Sequence, residues 1–173
     1  MTIEEVSAGV YRVIAAAADG RAVSAIGTNR LDLTHQVAEQ ARDLAGENRA
    51  WSWRDAWILQ SIVYSGRGGD LASVIQNADA INVDIPSREQ LEESVNKLAP
   101  AGLAVPDETR LRATRAARRL VRASRWGSGI RTVTGPLQAK LTAEVPVPAV
   151  PHDWTLTDEN WQAASHRYRN SAT

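Results

Sequence analysis

The sequence predicts a mainly α-helical protein with one small two-stranded β-hairpin after its middle. Most of the chain carries apolar residues at spacings of three and four, the period of an amphipathic helix. Clusters of glycine or proline interrupt these stretches and set the helix ends. Residues 103–113 carry the pattern of two short strands. Leu137, Ala139 and Leu141 also alternate like a strand, but Gly135-Pro136 interrupts that stretch and leaves residues 130–153 ambiguous. Residues 51–126 carry the clearest of these signals and form the predicted core.

Two helices are predicted in residues 1–50, an N-terminal helical extension. The first begins at a capping box formed by Thr2 and Glu5 and continues at helical spacing to Ala17. The second covers about residues 32–45. Each has an apolar face that must be covered, by the core or by a second copy of the chain. We favour the core, because both helices are short and rich in alanine.

The predicted core begins with two helices. The first presents one apolar face and ends in the glycine-rich run 64–69, since glycine continues a helix at a cost. Asp70 is placed to cap the N-terminus of the second, which carries an apolar stripe from Leu71 to Ile81. The residues of the first face are Ala56, Leu59, Ile62 and Val63.

A third core helix follows the turn at 82–86. Ser87 and Gln90 form a capping box at its start. Pro100 lacks a backbone N–H and is hard to place inside a helix, so the helix should end within residues 97–99. Gly102 then allows the chain to turn away.

The hairpin and a basic helix complete the core. Leu103–Val105 and Thr109–Ala113 read as two short strands joined by a tight turn, and Thr114 caps the next helix. One side of that helix is apolar, and the opposite side is basic. The basic side consists of Arg115, Arg118, Arg119, Arg122 and Arg125.

Residues 127–173 are predicted to be a linker that contains a proline-rich strap and ends in a helix. The strap, residues 146–151, should lie extended along a surface. Thr157 should cap a helix from Asp158 to about Tyr168. Trp154, Trp161 and Tyr168 lie seven residues apart, and we expect them to anchor this tail to its own domain.

The middle of the chain, about residues 51–125, resembles bacterial winged helix-turn-helix domains. The resemblance lies in the runs Asp70–Ile75, Ala78–Asn82, Glu89–Gly102 and Arg110–Thr114, in which a helix ending in Ala-Gly-Leu leads into a wing and the wing into a helix opened by threonine. It implies a non-catalytic, DNA-binding transcriptional regulator whose third helix enters the major groove of double-stranded DNA. Arg88, Gln90 and Asn96 would then read base edges. The phosphate contacts would come from Arg110, Arg112, Arg115, Arg118, Arg119 and Arg122.

An alternative is a protein–protein interaction module that uses the same fold without DNA. The outer face of the third helix carries Glu89 and Glu93 beside Asn96, and phosphates repel carboxylates. That helix could instead face a basic surface of a protein partner or of a second copy of the chain. The two hypotheses differ in whether the outer faces of the third helix and the wing form one positive surface, or are covered by residues 1–50 or 130–173.

Composition limits the remaining function classes. Twenty basic and twenty acidic residues cancel, so the chain as a whole is not an obvious polyanion binder. The absence of cysteine excludes disulfides, thiol catalysis and zinc ligation by sulfur. We find no local pattern of catalytic residues and no metal-ligand spacing, and we expect no enzyme activity and no cofactor. Without a leader peptide or an apolar run of about 20 residues, the prediction is a cytoplasmic protein with no membrane partner.

Overall fold

A computed structural model gives the architecture of most of the chain. The chain divides into two compact units, Met1–Ala50 and Trp51–Thr173. The residues that the structure describes are 1–16, 22–28, 30, 33–34, 37–38, 50–66, 68–125 and 129–171.

The first unit contains a three-stranded antiparallel sheet. Its strands β1 (Thr2–Ser7), β2 (Val10–Ala16) and β3 (Ala22–Gly27) are arranged in chain order. The helical residues described here include Leu33 and Val37. These two side chains are buried together with Val13 and Ala15 of β2, which gives the unit a small core of its own.

The helix predicted from Thr2 to Ala17 is therefore wrong over the described residues 2–16, which form two strands and the turn between them. Ser7 pairs with Val10 across a two-residue turn, and Gly9 in that turn has a φ of 73°. Glycine adopts this left-handed conformation without steric cost, which allows the chain to reverse. The segment is also rich in β-branched residues, which favour strands. Of the second predicted helix, about residues 32–45, the described residues 33–34 and 37–38 are helical, and the others lie outside the described part of the chain, as does Ala17.

The second unit begins with three helices, of which the second and third start after the predicted caps. They are α1 (Trp53–Tyr64), α2 (Leu71–Asn82) and α3 (Arg88–Leu98). Asp70 caps α2, and Ser87 with Gln90 forms the predicted capping box of α3. Their apolar faces meet in one buried cluster, so the helical periodicity seen in the sequence corresponds to a packed core.

A two-stranded antiparallel sheet and a fourth helix follow α3. The strands are β4 (Ala104–Pro106) and β5 (Leu111–Ala113), and the helix is α4 (Arg115–Ala123), capped by Thr114. Gly69, which precedes α2, lies directly against β5, because its carbonyl accepts a 2.7 Å hydrogen bond from the Leu111 N–H. The order of elements is the predicted one. Membership of the winged-helix family remains a prediction.

The chain after α4 contains more regular structure than a linker. A 3₁₀ turn (Ile130–Thr132) leads into α5 (Thr134–Glu144), and α6 (Asp158–Ser171) ends the described chain. Pro136 falls in the first turn of α5, where a missing N–H removes no helical hydrogen bond. Leu137 and Leu141 of α5 are fully buried in the core cluster. The boundary predicted near residue 126 lies outside the described residues.

The three predicted aromatic anchors, Trp154, Trp161 and Tyr168, pack the C-terminal segment against the core of the second unit, as predicted. Trp154 is buried, and Trp161 and Tyr168 pack against the same core at intermediate exposure. The Tyr168 hydroxyl donates a 2.8 Å hydrogen bond to Asp79 of α2, and this bond raises the pKa of Tyr168. Six α-helices and small antiparallel sheets thus make up the described structure.

Candidate nucleic-acid interface

The exposed face of α4 carries four of the arginines that the sequence singled out. Ala117 and Val121 are buried against the core, which turns the opposite side of the helix outward. Arg115, Arg119 and Arg122 are exposed, and Arg118 has intermediate exposure. At about 1.5 Å of rise per residue, the first and last of the four lie about 10 Å apart along the axis. We call Arg115, Arg118, Arg119 and Arg122 the arginine surface.

These guanidinium groups have no acidic partner among the residues that the structure describes. The ion pairs found there, within 4.0 Å, involve Arg12, Arg54, Arg88, Lys97 and Lys140. The neighbouring Arg125 differs, because its guanidinium lies 5.8 Å from the ring centroid of Tyr64. Arg110 and Arg112 are also exposed, before and within β5. The arginine surface therefore presents positive charge that the described part of the chain does not neutralise.

The predicted base-reading residues on α3 are instead engaged within the chain. Arg88 forms ion pairs with Glu89, Glu92 and Asp158. The side-chain oxygen of Gln90 accepts the Ser87 N–H as part of the capping box. Asn96 is hydrogen-bonded to residues 152 and 154 of the C-terminal segment. Each of the three side chains thus has a partner within the chain.

Asn96 holds an extended stretch of the chain against α3. Its side-chain amide donates to the Trp154 carbonyl at 2.9 Å, and its side-chain oxygen accepts the Trp154 N–H at 2.8 Å. Its backbone carbonyl accepts the His152 N–H at 2.8 Å. In a continuing helix that carbonyl would bond to the N–H of residue 100, but Pro100 has none. The proline that ends α3 thus leaves an acceptor for the C-terminal segment.

The same segment also contacts the turn between β4 and β5. The indole N–H of Trp154 donates to the Asp107 carbonyl at 3.1 Å, and the Asn160 side chain donates to the Glu108 carbonyl at 3.2 Å. On α3, Glu92 accepts the Leu156 N–H at 2.7 Å. Residues 152–158, which we call the covering segment, therefore lie between α3 and this turn. We call the space they occupy the α3–wing groove.

The acidic residues of α3 are largely compensated within the chain. Glu93 forms ion pairs with Arg54 at 3.1 Å and Lys97 at 3.8 Å. Glu89, which is exposed, lies 3.6 Å from Arg88 and accepts a hydrogen bond from the Ser87 hydroxyl. Hydrogen bonds at the helix start, from its own backbone N–H first and then from Ser87, lower the pKa of Glu89. This helix is therefore a weaker acidic surface than its sequence predicted.

Chemistry other than binding has little support in the described residues. No group of three or more metal-ligating side chains occurs among them. A shallow cleft between α4 and α5 is lined mainly by small side chains, with Lys140 and Glu144 already paired to each other. None of the helices in the described ranges combines the length and the apolar character that a membrane crossing needs.

Comparison with known proteins adds no relative from which a role could be transferred. No protein-family model matches the chain, no curated protein sequence matches it, and no solved structure matches its fold.

Proposed function

We propose that this protein is a non-catalytic winged-helix protein that binds double-stranded DNA through the phosphate backbone, with the arginine surface as its main contact. The supporting observation is that four arginines share one face of α4 and have no acidic partner among the described residues. Arginine suits this role because its planar guanidinium pairs with phosphate oxygens through two parallel hydrogen bonds.

Base reading by α3 is not part of this proposal. Arg88 and Asn96 are bonded to the covering segment, and Gln90 is used in the helix cap. The face of α3 that would enter the major groove is thus occupied by the chain itself. Phosphate contacts alone position a protein on DNA without reading its sequence. A role in transcription regulation follows only from the resemblance to winged-helix domains.

Salt-dependent binding of a random-sequence duplex tests the proposal. Four phosphate contacts should give a slope of about −3.6 for the logarithm of the binding constant against the logarithm of the salt concentration. Replacing Arg115 and Arg119 with alanine should reduce that slope by about half, because two of the four contacts are lost. Fluorescence anisotropy of a labelled duplex, titrated at two or more salt concentrations, measures both values.

Arg167 and Arg169 provide a matched control. Both are exposed on α6, so their replacement by alanine removes the same charge without changing the arginine surface. This control should leave the salt slope unchanged. Equal losses in the two double variants would mean that only net charge matters, and the arginine surface would then not be the DNA contact.

A substitution of Asn96 distinguishes binding to the DNA phosphate backbone from reading of the DNA bases. Asn96→Ala should leave duplex affinity unchanged, because this side chain is bonded to Trp154. Selection of preferred duplexes from a random pool, before and after the substitution, provides the measurement. A sequence preference that disappears with Asn96→Ala would restore α3 as a reading helix.

A second candidate function is the protein-interaction module. The specific observation in its favour is that the covering segment binds Asn96 and Glu92 of α3 and also contacts the turn between β4 and β5. No duplex binding even at low salt would make this the leading function. Light scattering on the same samples would then show whether the partner is a second copy of the chain.

A further inference from the structure

The covering segment is held in the way a protein holds an extended peptide ligand. Its residues 152–157 have no regular secondary structure, and Asp158 is the first residue of α6. The segment is joined to α5 through the proline-rich strap, which is mostly exposed. Four hydrogen bonds fix its backbone to α3, and two of them pair the Asn96 side-chain amide with the N–H and carbonyl of one residue, Trp154. Such contacts bind the main chain of any extended peptide, whatever its sequence.

Side chains of the covering segment add selectivity at three alternate positions. Trp154 and Leu156 are buried, with 8% and 2% of their surface exposed, and the Trp154 indole donates to the Asp107 carbonyl. Asp158 forms an ion pair with Arg88. Thr155 and Thr157 between them are exposed. The groove therefore has two apolar sites, spaced as an extended chain presents every second residue, and one basic site that meets the first residue of α6.

We infer that the α3–wing groove is a peptide-binding site for an extended segment of a partner protein with the pattern Trp-x-Leu-x-Asp. The chain's own covering segment occupies this site and is displaced when the partner binds. This inference deepens the second candidate function and does not depend on DNA binding. It uses α3 and the turn between β4 and β5, whereas the proposed DNA contact uses α4.

Displacement makes the affinity for a partner peptide depend on how often the covering segment leaves the groove. The apparent dissociation constant equals the intrinsic constant divided by the fraction of molecules with an open groove. A substitution that weakens the covering segment without changing the groove must therefore tighten binding of an added peptide. A substitution in the groove must weaken it. A purely structural tail would produce neither effect.

Asp158→Arg is the most direct test. The Asp158 side chain is 82% exposed, so the substitution leaves the core intact, and it places a positive charge against Arg88. The probe is a fluorescein-labelled synthetic peptide with the sequence of residues 150–160, added to the full-length chain. We expect it to bind the Asp158→Arg protein about fivefold or more tightly than the wild type, measured by fluorescence anisotropy.

Asp153→Arg is the matched control. Asp153 belongs to the same segment, is exposed and forms no ion pair with the described residues. This substitution changes charge by the same amount and should leave the peptide affinity unchanged. Equal affinities for wild type, Asp158→Arg and Asp153→Arg would overturn the inference.

Asn96→Ala, added to the Asp158→Arg protein, tests the groove itself. It removes the same two side-chain hydrogen bonds from the probe and from the covering segment. The labelled peptide should therefore bind more weakly, by an amount that approaches about tenfold as the groove opens. A probe with alanine in place of its one tryptophan, at the position of Trp154, should fail to bind. Undiminished binding in either case would overturn the inference. Circular dichroism confirms that each variant is folded before it is scored.

Discussion

Asp70 connects the turn after α1 with the start of α2. One of its carboxylate oxygens accepts the Ser73 N–H at 3.2 Å, and the other accepts the Ser73 hydroxyl at 2.6 Å. The hydrogen bond from the Ser73 side chain is the main cause that lowers the pKa of Asp70. A carboxyl group with a lowered pKa stabilises the folded state above the pKa of the unfolded chain. That contribution is lost as the pH falls through the folded-state pKa.

We therefore expect Asp70→Ala to lower the free energy of unfolding by about 1 kcal/mol near neutral pH. The difference from wild type should shrink at about pH 3, where the wild-type carboxyl group is increasingly protonated. Urea unfolding at the two pH values measures both quantities. Asp70→Asn keeps an acceptor for the cap and should show much less dependence on pH. A loss of the same size at both pH values for Asp70→Ala would contradict this account.

Local residue chemistry was readable from the sequence, but contacts between distant residues were not. Asp70, Ser87 and Thr114 could be predicted as caps because a cap depends on residues three positions apart. The role of Asn96 depends on Trp154, 58 positions away, and no local pattern links the two. One feature of the sequence could have indicated this contact. A proline four residues after Asn96 leaves the Asn96 carbonyl without its helical partner, so another segment can donate a hydrogen bond to it.

Gly69 determines how closely α2 and β5 approach. Its φ is 59°, and a Cβ atom added there would lie 2.3 Å from the Leu111 carbonyl oxygen. A side chain at this position would thus meet both an unfavourable backbone conformation and a backbone atom. Gly66 also has a positive φ, of 77°, but a Cβ atom there would meet nothing within 4 Å. Gly68 has open space and no positive φ.

The three glycines predict a graded series of alanine substitutions. Gly69→Ala should lower the free energy of unfolding by about 2–3 kcal/mol, Gly66→Ala by about 1 kcal/mol, and Gly68→Ala by close to zero. Urea unfolding followed by tryptophan fluorescence gives the three values. If Gly66→Ala and Gly69→Ala lowered the free energy of unfolding by similar amounts, the positive φ alone would account for both losses, and the close contact of Gly69 with β5 would contribute nothing.

The elements of the first unit show where periodicity fails as a guide. Ile3, Val6, Val10 and Val13 fit helical spacing, yet the structure places them in or beside two paired strands. Short apolar patterns fit both periods, and only the turn at Ala8-Gly9 and the β-branched side chains favour strands. In the second unit, helices α1 to α3 are separated by strong caps and turns, and their sequence signals agree with one another.

The two units differ in how much apolar surface they bury. Among the described residues, the first unit has a core of four residues, Val13, Ala15, Leu33 and Val37. The core of the second unit draws on α1 to α6 and both strands. Local stability follows the amount of buried apolar contact.

We expect backbone amides of β2 to exchange with a lower free energy of opening than those of α1. Native-state hydrogen exchange resolved to individual peptides provides the measurement. Equal protection in both units would show that they open together, and the size of the separate cores would then not determine their stability.

The position of the covering segment late in the chain has a consequence for synthesis. Asp158 follows Ala113, the last residue of β5, by 45 residues (158 minus 113). At about 5–20 residues per second, a ribosome needs about 2–9 s to add them. Throughout that interval the nascent protein can complete α3 and the hairpin while the sites for Trp154 and Leu156 are still empty. A newly made molecule thus passes through a period in which its groove is vacant, and any partner present at the ribosome meets that site before the chain's own tail does.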